Sequence, residues 1–476
     1  MFLVGMTRRR SAAALLVVGL LLLGAPAAAP AEQRVADAGV GKIAFAGESI
    51  VYSEFGDRVL DAYAVAGSSR LVLVRDGKRR TLLRVSSGVS ADDEPSSAAF
   101  SWDVSASSLL YRYGYTQYFA AGEETELEVR GGPLTGPYRR LAKCEDGIVD
   151  FDWHPVAVSG DRGAYIWNCD SYGAVVRGLA PPTSPPEGTF AGEYNLALAG
   201  PYLSVEREAG PQLSEAEVAV VDTRDRRELF TARGLDETEG GVRHALQDDG
   251  KLAAHVRDAA GDGCSLVWLS PAEPTPHRAG DALCGTAIEI ADDRIAYWRV
   301  RKNRKQLVVH DLRGGETVLA TAPYIATESR LDAYTSFGSS LAFDGTRTAY
   351  AVARCDGRAT LLLRTAIAGP VNGDRAPLAC PLSVLSTSVR GSRATRTASL
   401  PVRCPRGCHG EARVGDSNTY QPLARRPGTG NLTLHLDDPT TERLKRQARA
   451  TVTVRLRTYD RLGRSQNRTL RLTVRR

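Results

Sequence analysis

Cysteine is the residue type whose spacing speaks most directly of chemistry here. The chain holds Cys144, Cys169, Cys264, Cys284, Cys355, Cys380, Cys404 and Cys408, falling as near neighbours 25, 20, 25 and 4 residues apart. An even count in an exported chain favours disulfides over free thiols, and the connectivity is not fixed by the count alone. Cys404-Pro405-Arg406-Gly407-Cys408 with His409 has the outline of a metal knuckle, but no second Cys or His pair stands nearby. Disulfide chemistry is therefore expected there too. The seven His show no metal-ligand spacing, and there is neither a G-x-S-x-G elbow nor an HExxH. Asp258 and Asp262 share a Gly-containing loop without the rest of a calcium loop. Ser159-Gly160-Asp161-Arg162-Gly163 with Trp167 approximates a sialidase Asp-box turn, and a plain hairpin explains the same residues. His154 beside Trp153 reads as packing. No catalytic residue, no metal and no cofactor are expected.

Aromatic side chains offer a different chemistry, apolar stacking against a sugar or a peptide. Tyr113, Tyr115, Tyr118 and Phe119 crowd the stretch 113–124, and Tyr324, Tyr334 and Phe337 the stretch 323–339. Read as long loops, these stretches form a binding platform; read as covers for their own strands, they are packing.

Presenting such loops requires a rigid frame, and the sequence repeats one. The triplets Ile50-Val51-Tyr52, Leu109-Leu110-Tyr111, Ala164-Tyr165-Ile166, Leu203-Ser204-Val205, Leu252-Ala253-Ala254, Ile295-Ala296-Tyr297 and Thr348-Ala349-Tyr350 end 59, 55, 39, 49, 43 and 53 residues apart. Each precedes a second apolar run, at 71–74, 127–129, 174–176, 218–221, 266–269, 307–309 and 361–363. Asp161-Arg162-Gly163, Asp248-Asp249-Gly250, Asp292-Asp293 and Asp344-Gly345 supply the residues that tight hairpins demand. Four antiparallel strands per unit without helical periodicity predict an all-β fold, a seven-bladed β-propeller; six or eight blades meet the same irregular spacing.

The region resembles the TolB-like and WD40-like propellers, whose first hairpin often reads Trp-Ser-Pro-Asp-Gly before an Ile-Ala-Tyr-like strand. Trp102-Asp103 and Trp153-His154-Pro155 match the start of that phrase, and Asp249-Gly250 and Asp344-Gly345 its end. On a blade layout, Cys264 opens a third strand and Cys284 ends the fourth of the same blade, with Cys355 and Cys380 in similar places. Cys144 and Cys169 flank the first two strands of the third blade. All six then lie on one face of the disc.

From 399 onward the texture is that of a small β-sandwich. Thr451-Val452-Thr453-Val454-Arg455-Leu456-Arg457 alternates strictly, and Leu470, Leu472 and Val474 alternate back. Asp438 reads as the cap, and Pro439 as the first helical position, of a short helix reaching Gln447. Val402-Arg403-Cys404-Pro405, Cys408 and Arg443-Leu444-Lys445-Arg446 resemble the Ig-like modules that end many secreted actinobacterial proteins.

Arg8, Arg9 and Arg10, the apolar run that follows and Ala29-Pro30-Ala31 read as a signal peptide over 1–31. The expected layout is then 32–380 propeller, 381–398 linker and 399–476 basic sandwich, with no transmembrane segment. The formal charge of +6 divides unevenly, since 381–476 carries 20 Lys or Arg against 6 Asp or Glu, whereas 32–380 nets −11. A basic tail on an acidic body suits attachment to an anionic surface, and export argues against nucleic acid. With only seven Lys, however, the Arg excess also reads as a composition bias. The residues favour a secreted or envelope-associated, non-catalytic binding or scaffolding protein whose partner is a protein, a peptide or an envelope polysaccharide. The alternative is a propeller-type glycosidase or lyase acting on extracellular polysaccharide.

Overall fold

The computed structural model describes residues 32–55, 68–86, 97–119, 122–145, 155–168, 172–180, 186–192, 195–208, 216–235, 237–238, 241–258, 263–325, 334–335, 337–392, 395–415, 417 and 420–475. Successive side chains of a strand point to opposite faces, so a wholly apolar strand needs cover on both sides. In the strand Arg294–Arg301, Ile295 and Tyr297 join one hydrophobic cluster while Ala296 and Trp298 join another. Leu109 and Leu110 divide in the same way.

Such two-sided strands stand second in seven four-stranded antiparallel units among the described residues. The first runs Gln33–Ala46, Ser49–Phe55, Ser68–Arg75 and Lys78–Ser86; the second Ser97–Val104, Ser108–Phe119, Gly122–Pro133 and Arg139–Glu145. The third is Val156–Ser159, Arg162–Asn168, Tyr172–Gly178 and Gly188–Phe190; the fourth Leu196–Ala199, Tyr202–Glu208, Ala216–Asp222 and Arg227–Ala232. The fifth is His244–Leu246, Leu252–Arg257, Cys264–Leu269 and His277–Ala282; the sixth Ile288–Ala291, Arg294–Arg301, Arg304–Asp311 and Glu316–Ile325. The seventh has Phe337–Phe343, Thr348–Ala353 and Ala359–Arg364, and borrows its fourth strand from the start of Gln33–Ala46, which pairs from Gln33↔Leu363 to Ala38↔Ala359. The remainder of Gln33–Ala46 is the inner strand of the first unit, so one strand closes the ring. Tyr350 in the seventh unit adds a hydroxyl bond to Glu32.

Each unit's first strand lies beside the first strand of the next, from first to seventh and back to the first. Hydrophobic clusters fill the spaces between successive units, and the closing one packs Ala342, Ala349 and Leu361 against Ile43, Ile50 and Tyr52. The architecture is that of a β-propeller, in which stability is generated between repeats rather than within them. On the face formed by the short hairpins, arginines tie neighbours together. Arg162, Arg294 and Arg347 donate to the carbonyls of Gly200 (2.8 Å), Gly345 (3.0 Å) and Gly47 (2.6 Å) in the following unit. Gly200 and Gly345 have φ of +52° and +94°, the left-handed turn conformation that favours glycine.

The eight strands of the tail pair in one continuous sheet, whose two halves are joined through Ser388–Ser392 and fold around one core that includes Leu400, Leu434, Leu444, Val454 and Leu472. The stretch 381–398, read from sequence as a linker, contributes strands Ser383–Val384 and Ser388–Ser392 to this lobe. Its helix, α1 (Asp438–Arg446), is capped by Asp437 rather than Asp438. The Asp437 carboxylate accepts from the Thr440 amide at 3.2 Å, and Pro439 falls inside the first turn, where its missing N–H costs nothing. The lobe docks on the seventh unit through Arg461, which forks onto Asp374 (2.9 and 3.1 Å) and donates to the carbonyls of Ala353 and Ala376; the paired side chains are 8% and 6% exposed.

Disulfides join Cys264 to Cys284, Cys355 to Cys380 and Cys404 to Cys408. Cys144 is disulfide-bonded as well, and Cys169 lies outside the described residues. The Cys404–Cys408 bond leaves no thiolate for a metal, and His409 instead shares a hydrogen bond with the Cys355 carbonyl at the junction of the lobes. Among the described residues no helix is long and apolar enough to cross a membrane.

Candidate functional site

Positions on the inner strands that are neither buried nor fully exposed are mostly small: Ala44, Ala197, Ala199 and Ala291. Asp103 and Glu289 are charged exceptions on the inner strands of the second and sixth units, and the exposed Lys42 stands on that of the first. Lys42 donates to the Trp102 carbonyl (2.7 Å) and to Asp103 (3.1 Å), and its ammonium lies 5.2 Å from the centre of the Trp102 ring. The second Asp103 oxygen accepts from the Val158 amide at 2.8 Å. This chain of contacts ties together the first strands of three successive units beside the axis.

Glu289 comes from the sixth unit, two places from the first around the ring, and is reached by the charges of both Lys42 and Asp103. Burial pushes its carboxyl up to about 8; Lys42 opposes the rise and Asp103 adds to it. At neutral pH the group is mostly a neutral acid, able to donate a hydrogen bond or a proton.

A second set of titratable groups sits where the fourth and fifth units meet, toward the face of the long connections. Glu206 is fully buried and accepts from Asn195 (2.9 Å) and from the Val242 amide (2.8 Å). His244 Nδ1 lies 3.0 Å from the Val242 carbonyl. Burial pushes the His244 imidazole down to about 4 against that carbonyl contact, with Arg243 adding to the fall. His255 is completely buried, neither ring nitrogen has a hydrogen-bond partner among the described residues, and burial with nearby Arg243 takes it down to about 4. Lys305, lowered to about 7 by burial alone, lies 4.6 Å from the centre of the Trp298 ring. Among the described residues no cluster of His, Cys, Asp or Glu is arranged to hold a metal.

The aromatic residues singled out from sequence divide. Tyr113, Tyr115, Tyr118 and Phe119 do not lie in a loop, because Ser108–Phe119 and Gly122–Pro133 pair continuously from Ser108↔Pro133 to Phe119↔Gly122. The run Tyr-Gly-Tyr-Thr-Gln-Tyr-Phe is rich in strand-forming residues, so the second strand extends past its own unit as a hairpin arm. Tyr113 is half-buried within the unit, below the arm; the side chains of Tyr115, Tyr118 and Phe119 lie outside the described residues. Tyr324 is half-buried at the end of the sixth unit's last strand, where Ile325 pairs with Tyr334. Nothing describes the side chains of Tyr334 and Phe337, and Trp153, His154 and Asp262 also fall outside.

The Asp-box-like residues form the hairpin between Val156–Ser159 and Arg162–Asn168, beside a shallow recess of about 500 Å³ on the short-hairpin face. Arg162 there is committed to Glu187, Gly200 and Thr223, and Ser159 accepts from the Gly200 amide, so these residues join units. Lys42 and Glu289 were not singled out from sequence, and Asp103 entered only as part of the Trp102-Asp103 phrase, not as a site residue. Their signal was present as charged residues inside short apolar inner strands, such as Ile288-Glu289-Ile290.

No family model matches the chain, and no curated protein matches it. Among solved structures it is similar to TolB from Acinetobacter baumannii, at 14% identity over 67% of this chain and 71% of that one, with a TM-score of 0.32. It is similar to the β-propeller domain of the Trilobed protease from Pyrococcus furiosus, at 10% identity over 69% and 96% of the two chains, with a TM-score of 0.39. The WD40 domain of SCAP from fission yeast gives 11% identity over 71% and 98%, with a TM-score of 0.39. Likenesses of this depth bear on neither substrate nor partner, and the fold rests on the strand pairings above.

Proposed function

We propose that this is an exported binding or scaffolding protein whose long-connection face receives a protein, peptide or envelope-glycan partner, with the basic sandwich as its attachment module. The carrying observation is one-sidedness. The strand ends Phe55 and Ser68, Ser86 and Ser97, Glu145 and Val156, Glu208 and Ala216, and Ile325 and Phe337, which have the long intervals of sequence between them, all lie on one face; the opposite face turns mostly through short hairpins such as 47–48, 76–77, 160–161, 200–201 and 292–293, its longest intervals lying between Gly178 and Gly188 and between Leu269 and His277. A rigid ring with inserts gathered on one side is an arrangement that presents loops for recognition. The hairpin arm beyond Thr116 projects from that same side.

The test excises 118–123 and joins Gln117 to Glu124 through Asn-Gly, then measures binding of the otherwise full chain to isolated envelope fractions. Loss of binding with an unchanged melting temperature supports the reading. Undiminished binding, or loss that also follows a change at Arg224 on the short-hairpin face, overturns it.

Glu289 favours a second reading, a glycosidase or lyase acting on extracellular polysaccharide. A carboxyl that stays protonated near neutrality is the kind of group that protonates a leaving oxygen. Depolymerisation of polygalacturonate by the full chain, abolished in Glu289→Gln, supports this alternative, and no depolymerisation by the unaltered chain removes it.

A further inference from the structure

The two outward sheet faces of the tail differ in charge. Residues directly opposite one another in neighbouring strands share a face. The pairings Arg449↔Arg475, Thr451↔Thr473, Thr453↔Arg471, Arg455↔Thr469 and Arg457↔Asn467 therefore lay five arginines and a row of threonines across the outward side of strands Arg449–Tyr459 and Ser465–Arg475. Arg390↔Arg475 carries this surface onto the neighbouring strand Ser388–Ser392. Arg413↔Arg455 carries it in the other direction, together with Glu411. Arg390, Arg449, Arg455, Arg457, Arg471 and Arg475 are exposed and form no ion pair among the described residues. The outward side of the other sheet is nearly neutral. There Thr397↔His435, Ser399↔Thr433, Pro401↔Asn431 and Arg403↔Thr429 present a single arginine.

This contrast separates the two explanations of the basic tail. A composition bias toward arginine would spread over both faces, because both meet solvent. The placement also carries a cost. Arg390, Arg475 and Arg449 stand opposite one another in one row across three strands, and Arg413 faces Arg455 in another; like charges placed so are destabilising. Nothing in the folding of the sandwich requires that arrangement.

We propose that this arginine–threonine face is the docking surface for an extended anionic polysaccharide of the cell envelope, one bearing carboxylates along a hydroxyl-rich chain. The proposal rests on the reading of the tail as an attachment module and supplies its surface and ligand class. Guanidinium forks match carboxylates in a bidentate manner, and threonine hydroxyls both donate to and accept from sugar hydroxyls. From the row of Arg449 to that of Arg457 the strand offers a path of roughly 27 Å, long enough for several sugars. A lipid surface fits less well, because the face offers little apolar surface to enter a bilayer. The exposed large apolar residues among the described ones are Ile325, Val371, Leu385 and Tyr420, and of these Tyr420 alone borders this face, at its edge next to the row of Arg413.

The experiment compares the full chain with Arg455→Ser/Arg457→Ser/Arg471→Ser and with a charge-matched control, Arg403→Ser/Arg443→Ser/Arg446→Ser. Probes are polygalacturonate, duplex DNA and phosphatidylglycerol vesicles, with melting curves to verify folding. The expected result is polygalacturonate binding weakened about tenfold or more in the face variant, with a shallower dependence on salt, and little change in the control. Equal weakening in both variants reduces the effect to net charge and overturns the proposal. Undiminished binding in the face variant overturns the face while sparing the attachment reading, and no binding to any probe by the unaltered chain overturns both. Binding to vesicles or DNA without polygalacturonate overturns the ligand class.

Discussion

The two lobes spend arginine in opposite ways. In the ring, guanidinium groups are committed. Arg364, 1% exposed, donates to the carbonyls of Leu319, Ala366, Ile367, Ala368 and Pro370, and Arg347 reaches Asp344, Glu48 and Gly47 across the closing interface. On one face of the sandwich, Arg449, Arg455, Arg457, Arg471 and Arg475 stand in rows with no ion-pair partner among the described residues. The same residue type, abundant throughout the chain, serves as mortar in one lobe and as an open surface in the other. The difference lies in what surrounds it. Connections that leave a sheet edge present unpaired carbonyls, which a five-donor fork satisfies several at a time, whereas a fully paired sheet face has none to offer.

The sharpest way to break this contrast is Arg364→Ala, which empties the place of a buried guanidinium and removes the donor shared by five carbonyls, that of the buried Leu319 among them; we expect a loss of about 3–5 kcal/mol, read by urea denaturation. Arg364→Lys recovers only part, since an ammonium does not reproduce the planar fork. A loss within the range of an ordinary surface substitution would mean that the carbonyls find other partners and that the mortar reading is wrong.

Arg347→Ala comes next. It removes the closing hydrogen bond to Gly47 and leaves the Asp344 carboxylate without its guanidinium, for an expected loss of about 1–2 kcal/mol. Truncating residues 32–38 should exceed it, because the seventh unit then loses a whole strand along with the Tyr350 bond to Glu32. If the truncated chain melts like the full one, closure by the first strand contributes nothing.

What the sequence disclosed follows the same physical line. All seven apolar triplets fall in second strands, from Ile50-Val51-Tyr52 in Ser49–Phe55 to Thr348-Ala349-Tyr350 in Thr348–Ala353, because a strand covered on both faces must be apolar at consecutive positions. The closing strand was not legible. Gln33-Arg34-Val35-Ala36-Asp37-Ala38 lies at the rim of its unit and has no such requirement. The aromatic stretch after Tyr113 was legible in content but not in form, since the pairing of Tyr115 with Glu126 depends on the partner strand. The axial trio was hidden for another reason. Lys42, Asp103 and Glu289 lie far apart in the chain, and only ring closure brings their charges within reach of one another.

Glu289 gives a prediction that turns on pH rather than on packing. Its folded pKa lies near 8, above the ordinary value of 4.5. The folded state therefore holds its proton where the unfolded chain has released it. The stability tied to that proton is complete below about 4.5 and is lost as pH rises toward about 8. Glu289→Gln should melt with the parent chain at pH 4.5 and above it at pH 8.5. His244 and His255, held near 4, act on the acid side, where stability falls as pH drops from about 6.5 toward 4. A Glu289→Gln chain that keeps the parent's alkaline slope would show that the axial carboxyl ionises as an ordinary glutamate.

The smallest expected effect belongs to the open arginines, and its smallness is the point. Arg455 faces Arg413 on one side and Thr469 on the other, and pairs with no carboxylate among the described residues. Arg455→Thr removes one member of a like-charge pair and installs a good strand former. The melting temperature should stay within about 1–2 °C of the parent, with any rise larger at low ionic strength, where repulsion is least screened. Added polygalacturonate should raise the melting temperature of the parent more than that of Arg455→Thr, because a ligand that binds only the folded face stabilises it by mass action. A substitution that costs the sandwich as much as Arg347→Ala costs the ring would place Arg455 among the structural arginines and erase the distinction between the lobes.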